Sequence, residues 1–81
     1  MDMHASPMIP SAPAAASWIA RVFDAKIVDR GGIVRRSAAS VDREIGRAAF
    51  VQQVMMRGFH LVECGDQFVV ICNKGHLKII V

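Results

Sequence analysis

The pattern that most limits the fold of this chain lies in residues 59–81. Three runs rich in β-forming residues, 59–64, 67–72 and 76–81, are separated by Gly65-Asp66 and by Asn73-Lys74-Gly75. Glycine beside a polar residue is typical of the tight turns that join neighbouring antiparallel strands. The pattern therefore predicts an antiparallel three-stranded meander.

Two-residue loops at Gly65-Asp66 and at Lys74-Gly75 determine which side chains of the meander share a face. One face is nearly all apolar and is the predicted core, with Glu63 as its single charge; its other members are Phe59, Leu61, Phe68, Val70, Cys72, Leu77, Ile79 and Val81. The second face is mixed, and it carries His60, Val62, Cys64, Gln67, Val69, Ile71, His76, Lys78 and Ile80. A β-bulge at Gly75 would exchange the two faces of the third strand, and this alternative stays open.

A helix that covers the apolar face is predicted over residues 47–57. Its apolar stripe recurs at helical spacing and places Met55 in the core; the stripe consists of Phe50, Val51, Val54 and Met55. Gly58 suits the left-handed position at which helices end. Gly46 separates this helix from a short helical turn over residues 41–45.

Ser40 or Asp42 is the predicted N-cap of that short turn, because both side chains accept hydrogen bonds from backbone N–H groups. Further toward the start, residues 23–28 alternate in polarity and precede the turn sequence Asp29-Arg30-Gly31-Gly32. The run 33–36 can pair back as a second strand. An N-terminal β-hairpin with a basic edge is therefore predicted beside the meander.

Residues 1–17 contain all three prolines and no Lys or Arg, and they are predicted to be a disordered tail. An alternative begins a helix near Ser11 and continues it through Trp18, Ile19 and Val22. A chain of 81 residues is long enough for one small domain. The predicted fold class is α+β: residues 20–81 form an antiparallel sheet packed on one helix.

Several function classes are disfavoured by composition. A domain of this size has little room for an enclosed substrate pocket, so a non-enzymatic role is expected. Cys64 and Cys72 point to opposite predicted faces, and the histidines lack the spacing of a metal site, so neither a disulfide, a metal nor another cofactor is expected. No apolar run approaches the length of a membrane span. A cytoplasmic location is the corresponding expectation.

The mixed face of the meander is the first candidate binding site. Its apolar strip is rimmed by polar side chains, and the residues predicted to bind a partner are Val62, Val69, Ile71, Ile80, His60 and Lys78. A contiguous apolar surface of this kind usually has an occupant. Three occupants could cover it: the N-terminal hairpin, a second copy of the chain or another protein. The leading functional prediction is a non-catalytic interaction module that binds a protein partner or itself.

An RNA-binding or DNA-binding module is the alternative. The net charge is +3, and the basic excess lies between Arg21 and Arg57. Arginines of the segment 30–47 would contact phosphates, and the candidates are Arg35, Arg36, Arg43 and Arg47. The chain has one Trp and no Tyr, however, and single-stranded nucleic acid usually also requires stacking platforms.

The helix, the sequence Arg57-Gly58-Phe59 and the strand pattern that follows resemble the αβββ core of the HicA-type mRNA interferase toxins, a fold like that of double-stranded-RNA-binding domains. In that family a histidine just after the first tight turn serves catalysis. The corresponding positions here are Asp66, Gln67 and Phe68, so a ribonuclease activity is a remote expectation. The sequences 31–36, 57–60 and 71–73 also resemble small alphaproteobacterial proteins to which no activity is attached.

Overall fold

A computed structural model describes residues 13–81 of the chain. In chain order the elements are α1 (Pro13–Val22), α2 (Ala25–Asp29), β1 (Ile33–Ser37), α3 (Ala38–Glu44), α4 (Arg47–Met56), β2 (His60–Cys64) and β3 (Gln67–Ile71). The three strands form one antiparallel sheet in the order β1-β3-β2. The α+β class is confirmed, but four helices accompany the sheet in this part of the chain, where the sequence predicted one.

The β2–β3 hairpin has the predicted register. Cys64 lies opposite Gln67 and Val62 lies opposite Val69. Gly65 adopts a φ of 60°, which permits the two-residue turn that a residue with a Cβ atom would strain. On the predicted core face, Phe68, Val70 and Cys72 are buried, and Phe59 and Leu61 pack against the same core.

The predicted third strand of the meander is wrong. Residues 76–81 form no strand, and Leu77, Ile79 and Val81, which were expected in the core, are exposed. β1 occupies that edge of β3 instead, with Val34 opposite Val70 and each of its five residues in register. Hydrogen bonds from Cys72 N to Gly32 O and from Ala38 N to Asp66 O extend the pairing at both ends.

The predicted N-terminal hairpin is also wrong, because residues 25–29 form a helix. The Asp24 side chain caps this helix by accepting a hydrogen bond from Lys26 N at 2.9 Å. Ile27 and Val28 both pack against the core from adjacent positions, as a helix allows and an alternating strand does not. β1 therefore pairs with β3, far along the chain, and has no partner in residues 23–28.

Residues 13–17, assigned to the disordered tail, form the first turns of α1, in agreement with the alternative helix. Proline is tolerated in the first turn, where its missing N–H would have no intrahelical partner. The buried side chains lie on one face of the helix: Ala15, Trp18, Ile19 and Val22. Residues 1–12 of the predicted tail lie outside the described residues.

α3 begins one turn earlier than the predicted 41–45. Its N-cap is Ser37, whose hydroxyl accepts from Ser40 N at 3.1 Å, so neither Ser40 nor Asp42 has this role. Gly46, with a φ of 87°, separates α3 from α4 as predicted. Two short helices can therefore follow each other at an angle.

Gly58 ends α4 in the predicted left-handed conformation, with a φ of 72°. Its N–H donates to Met55 O, and the N–H of Phe59 donates to Val54 O, which is the hydrogen-bond pattern of a Schellman motif. This motif turns the chain from α4 into β2. Met55 itself was predicted to be buried, and it is 62% exposed because the stripe that reaches the core consists of Phe50, Gln53 and Val54.

Three aromatic rings connect the two halves of the core. The Phe50 ring lies 5.8 Å from Trp18 of α1 and 5.7 Å from Phe68 of β3, between centroids and in tilted orientations. Tilted pairs at this separation are favourable beyond the area that they bury. Phe50 is fully buried, so it joins the N-terminal helix to the central strand.

Truncation of Phe50 is expected to destabilise the chain strongly. Phe50→Ala should lower the free energy of unfolding by about 3–5 kcal/mol, because a fully buried ring is lost and a cavity remains. Phe50→Leu should show a smaller loss in the same direction and covers the case in which Phe50→Ala does not fold. The measurement is urea unfolding followed by circular dichroism.

Met55→Ala is the matched control on the same helix. Because the Met55 side chain is mostly exposed in a single copy of the chain, its removal should change the free energy of unfolding by no more than about 0.5 kcal/mol at a protein concentration that keeps the chain monomeric. Equal losses for Phe50→Ala and Met55→Ala would contradict the placement of the two side chains.

Candidate interaction surfaces

The sheet face opposite the helices consists of three rows of side chains, and each row contains one residue from each of the three strands. The rows are Ile33, Ile71 and His60; Arg35, Val69 and Val62; and Ser37, Gln67 and Cys64. None of these residues belongs to the core cluster of the described residues. We call this surface the open sheet face.

Four aliphatic side chains are contiguous at one end of the open sheet face. They are Ile33, Ile71, Val69 and Val62, and side chains directly opposite each other on neighbouring strands lie within contact distance. Ile33 is 61% exposed, and the other three are half-buried. Polar side chains adjoin them on three sides: Arg35, His60 and Gln67.

Four of the six residues predicted to bind a partner lie on this surface: His60, Val62, Val69 and Ile71. Lys78 and Ile80 do not, because residues 76–81 have no place in the sheet. Ile33 is a member that the sequence analysis missed. Its alternation with the buried Val34 was visible in the sequence, but only the pairing with β3 places it beside Ile71.

The four arginines predicted to bind nucleic acid do not lie on one surface. Arg35 projects from the open sheet face, whereas its neighbour Arg36 lies on the other face of β1 and donates to Arg35 O at 2.7 Å. Arg43 lies on α3, with its Nε 3.6 Å from Glu44 Oε2. Arg47 interacts with β2, which is the opposite edge of the sheet from β1.

Arg47 is held by an acidic and an aromatic side chain. Its Nη2 donates to Glu63 Oε1 at 2.8 Å, and its guanidinium carbon lies 5.1 Å from the centroid of the Phe68 ring. The hydrogen bond and the positive charge lower the pKa of Glu63 from its ordinary value of 4.5. Both side chains are exposed to solvent, so screening keeps the contribution of the pair to stability small.

β2 forms the edge of the sheet beside α4, and a groove of about 380 Å³ runs between them. Its apolar lining includes Val51 and Met55 from α4 and Leu61 from β2. The polar side chains of Arg47 and Glu63 also line it. We call this feature the β2 groove.

A wider and more open groove of about 900 Å³ lies near the start of β2, between α2, α4 and the end of β3. The Arg57 guanidinium covers the Phe23 ring at 3.9 Å from its centroid and donates to Gln53 O and Gln53 Oε1 at 2.8 Å. Cys72 lines this groove but is only 4% exposed. Burial raises the pKa of the Cys72 thiol, while the charge of Arg57 opposes that change.

Neither a metal cluster nor a membrane-spanning helix is found among residues 13–81. No group of three or more His, Cys, Asp or Glu side chains in this part is placed to hold a metal ion. No helix of the same residues is both long and apolar enough to cross a bilayer. Comparison of the chain with protein-family models, with curated proteins and with solved structures found no match.

The Arg47–Glu63 pair predicts a pH dependence of stability. Because the pKa of Glu63 is lowered in the folded chain, its stabilising contribution is present above the unfolded pKa and is lost as the pH falls through the folded pKa. Arg47→Gln should raise the pKa of Glu63 toward 4.5. The stability difference between this variant and the wild type should then shrink as the pH falls below 4.5.

The pKa of Glu63 is measured by NMR titration, and stability by urea unfolding at each pH. Arg43→Gln is the control, since Arg43 lies beside Glu44 and not beside Glu63. An unchanged pKa of Glu63 in Arg47→Gln would show that the pair does not form in solution.

The two cysteines should differ in reactivity. Cys64 is exposed and Cys72 is buried with a raised pKa, so a thiol reagent should modify the native chain rapidly at Cys64 and only slowly at Cys72. Cys64→Ser should lose the fast phase, and Cys72→Ser should keep it. Two fast thiols in the native wild type would contradict the burial of Cys72.

Proposed function

We propose that this chain is a non-catalytic interaction module that binds an apolar protein surface through its open sheet face. The observation that carries the proposal is the contiguous set of four aliphatic side chains on a sheet face that no helix of the described residues covers. Apolar patches of this kind commonly mark binding surfaces.

The arrangement of polar groups supports a protein partner. Arg35, His60 and Gln67 surround the aliphatic centre, and an apolar centre with a polar rim is the usual anatomy of a protein interface. The aliphatic side chains project from three hydrogen-bonded strands, so their relative positions are held by the backbone. A rigid surface loses little conformational freedom on binding.

Nucleic-acid binding by Arg35, Arg36, Arg43 and Arg47 has less support from the same geometry. Arg47 already donates to Glu63, and the sheet separates it from the two arginines of β1. A surface that follows a phosphate backbone needs cations on one continuous path. We therefore place the protein-binding role first and keep RNA or DNA as the alternative partner.

A reducing, cytoplasmic location belongs to this proposal. Both Cys64 and Cys72 are free thiols. Free thiols persist in the reducing cytosol and are readily oxidised outside it.

Val69→Lys is expected to abolish binding without unfolding the chain. Val69 is the middle residue of the central strand on the open sheet face, so a lysine there places a charge among the four aliphatic side chains. Its long side chain can extend to solvent, which limits the cost to the fold. The measurement is affinity capture from cell extract with quantification of both protein and nucleic acid.

Ala39→Lys is the matched control, since it adds the same charge at an exposed position of α3. Wild type and Ala39→Lys should retain the same protein partner, and Val69→Lys should lose it, with unchanged circular dichroism for all three. Partners that persist on Val69→Lys, or recovery of nucleic acid alone, would contradict the proposal.

A further inference from the structure

Residues 76–81 form an alternating apolar segment that the fold leaves exposed. Ile79 and Ile80 are 72% and 79% exposed, and Leu77 and Val81 are exposed as well. Alternation places Leu77, Ile79 and Val81 on one side of an extended chain and His76, Lys78 and Ile80 on the other. The segment therefore has the composition of a strand without a neighbour.

A free strand edge with a matching groove is present in the same chain. The backbone N–H of Cys72 donates to Gly32 O, so the backbone hydrogen-bonding groups of the even-numbered residues of β3 point toward β1. Those of the odd-numbered residues of β3 therefore point toward β2 and bond to its even-numbered residues, His60, Val62 and Cys64. The backbone N–H and C=O groups of Leu61 and Glu63 consequently point away from β3, to the free edge of β2. No strand of residues 13–81 lies on that side.

A strand added to this edge would cover the β2 groove. Its core-facing side chains would meet Val51, Met55 and Leu61, and Met55 is otherwise 62% exposed. The apolar side of the segment 76–81 suits this position. Its other side would extend the open sheet face and place Ile80 and Lys78 beside the residues predicted to accompany them.

The edge of β1 is less suitable for the same segment. β1 carries Arg35 and Arg36, and charged side chains on an edge strand oppose pairing with another strand. Lys78 of the segment would add to the positive charge there. β2 instead carries one charged side chain, Glu63, and the charge of Glu63 is already paired with Arg47.

A second copy of the chain can supply this strand in the favourable direction. His60 Nε2 contacts Gly75 O, so the segment leaves the domain beside the first residue of its own β2. Pairing with its own β2 would therefore be parallel, whereas a second copy can approach antiparallel, which is the more stable pairing. A two-fold symmetric dimer would satisfy both free edges at once.

We propose that two copies of this chain associate by strand exchange, in which residues 76–81 of each copy add antiparallel to β2 of the other. Leu77, Ile79 and Val81 then fill the β2 groove, and Ile80 joins the open sheet face. This inference deepens the proposed function, because the exchange enlarges the binding surface and identifies one partner as a second copy.

The test compares Ile79→Asp with Ile80→Asp in the full chain. The two residues are adjacent, identical and similarly exposed, but only Ile79 faces the β2 groove in the exchanged dimer. We expect sedimentation equilibrium over a concentration series to give a monomer–dimer equilibrium for the wild type. Ile79→Asp should weaken dimerisation at least tenfold, which corresponds to about 1.4 kcal/mol of association free energy. Ile80→Asp should change the dissociation constant by less than threefold.

The groove is tested from the other side by Met55→Asp, with Met56→Asp as its control. Both methionines are exposed on α4, and only Met55 lines the β2 groove. Met55→Asp should weaken dimerisation and Met56→Asp should not.

A wild type that is monomeric at all concentrations would overturn strand exchange, as would equal effects of Ile79→Asp and Ile80→Asp. Amide protection of residues 77–81 in a monomer would also overturn it, since the segment would then pair with its own chain. Val69→Lys separates this inference from the proposed function. Loss of the captured partner with an intact dimer agrees with both proposals. A retained partner with an intact dimer overturns the proposed function alone, and loss of the dimer in Val69→Lys overturns strand exchange, because Val69 lies in the central strand and outside the β2 groove.

Discussion

Both hydrogen-bonding edges of β3 are occupied, and the rest of the structure depends on this constraint. β2 pairs with one edge through the turn at Gly65, and β1 pairs with the other along its full length. A strand has only two edges, so residues 76–81 find no place beside β3. Alternation along β3 turns Phe68 and Val70 toward the helices, and Val69 and Ile71 project from the opposite face. The pairing therefore leaves residues 76–81 without a partner strand, and it assembles the open sheet face from side chains of all three strands.

The helices complete this arrangement from one side only. Phe50 contacts Trp18 of α1 and Phe68 of β3, so residues that precede the sheet in the chain pack into the same core as its central strand. Each of the four helices directs apolar side chains to that core, and Val62 and Val69 lie outside it. A small domain of this kind has one interior, and binding must use its surface or the edge of its sheet. Both proposals follow from this geometry.

The sequence predicts features that depend on neighbouring residues better than features that depend on residues far along the chain. The hairpin turn at Gly65 and the helix end at Gly58 were predictable because each depends on a backbone conformation that glycine adopts without strain. Val62, Val69 and Ile71 were assigned to the correct face because alternation along a strand follows from its geometry. Met55 was misplaced because its apolar character does not show which side of α4 meets the sheet. Ile33 was missed because its neighbours come from β3, far along the chain.

The sequence by itself determined the α+β class, the β2–β3 register and the ends of α4, since these depend on turns and periodicities within a few residues. Only the tertiary structure decided which strand pairs with the second edge of β3. Two runs, β1 and residues 76–81, were both suitable by composition. β1 is the run that pairs there, and it contributes Val34 to the buried core while its following helix, capped by Ser37, packs against α4. Which of the two runs pairs with β3 depends on the burial of the whole helical layer and not on the strand alone. No pattern within a few residues of sequence shows how that layer packs.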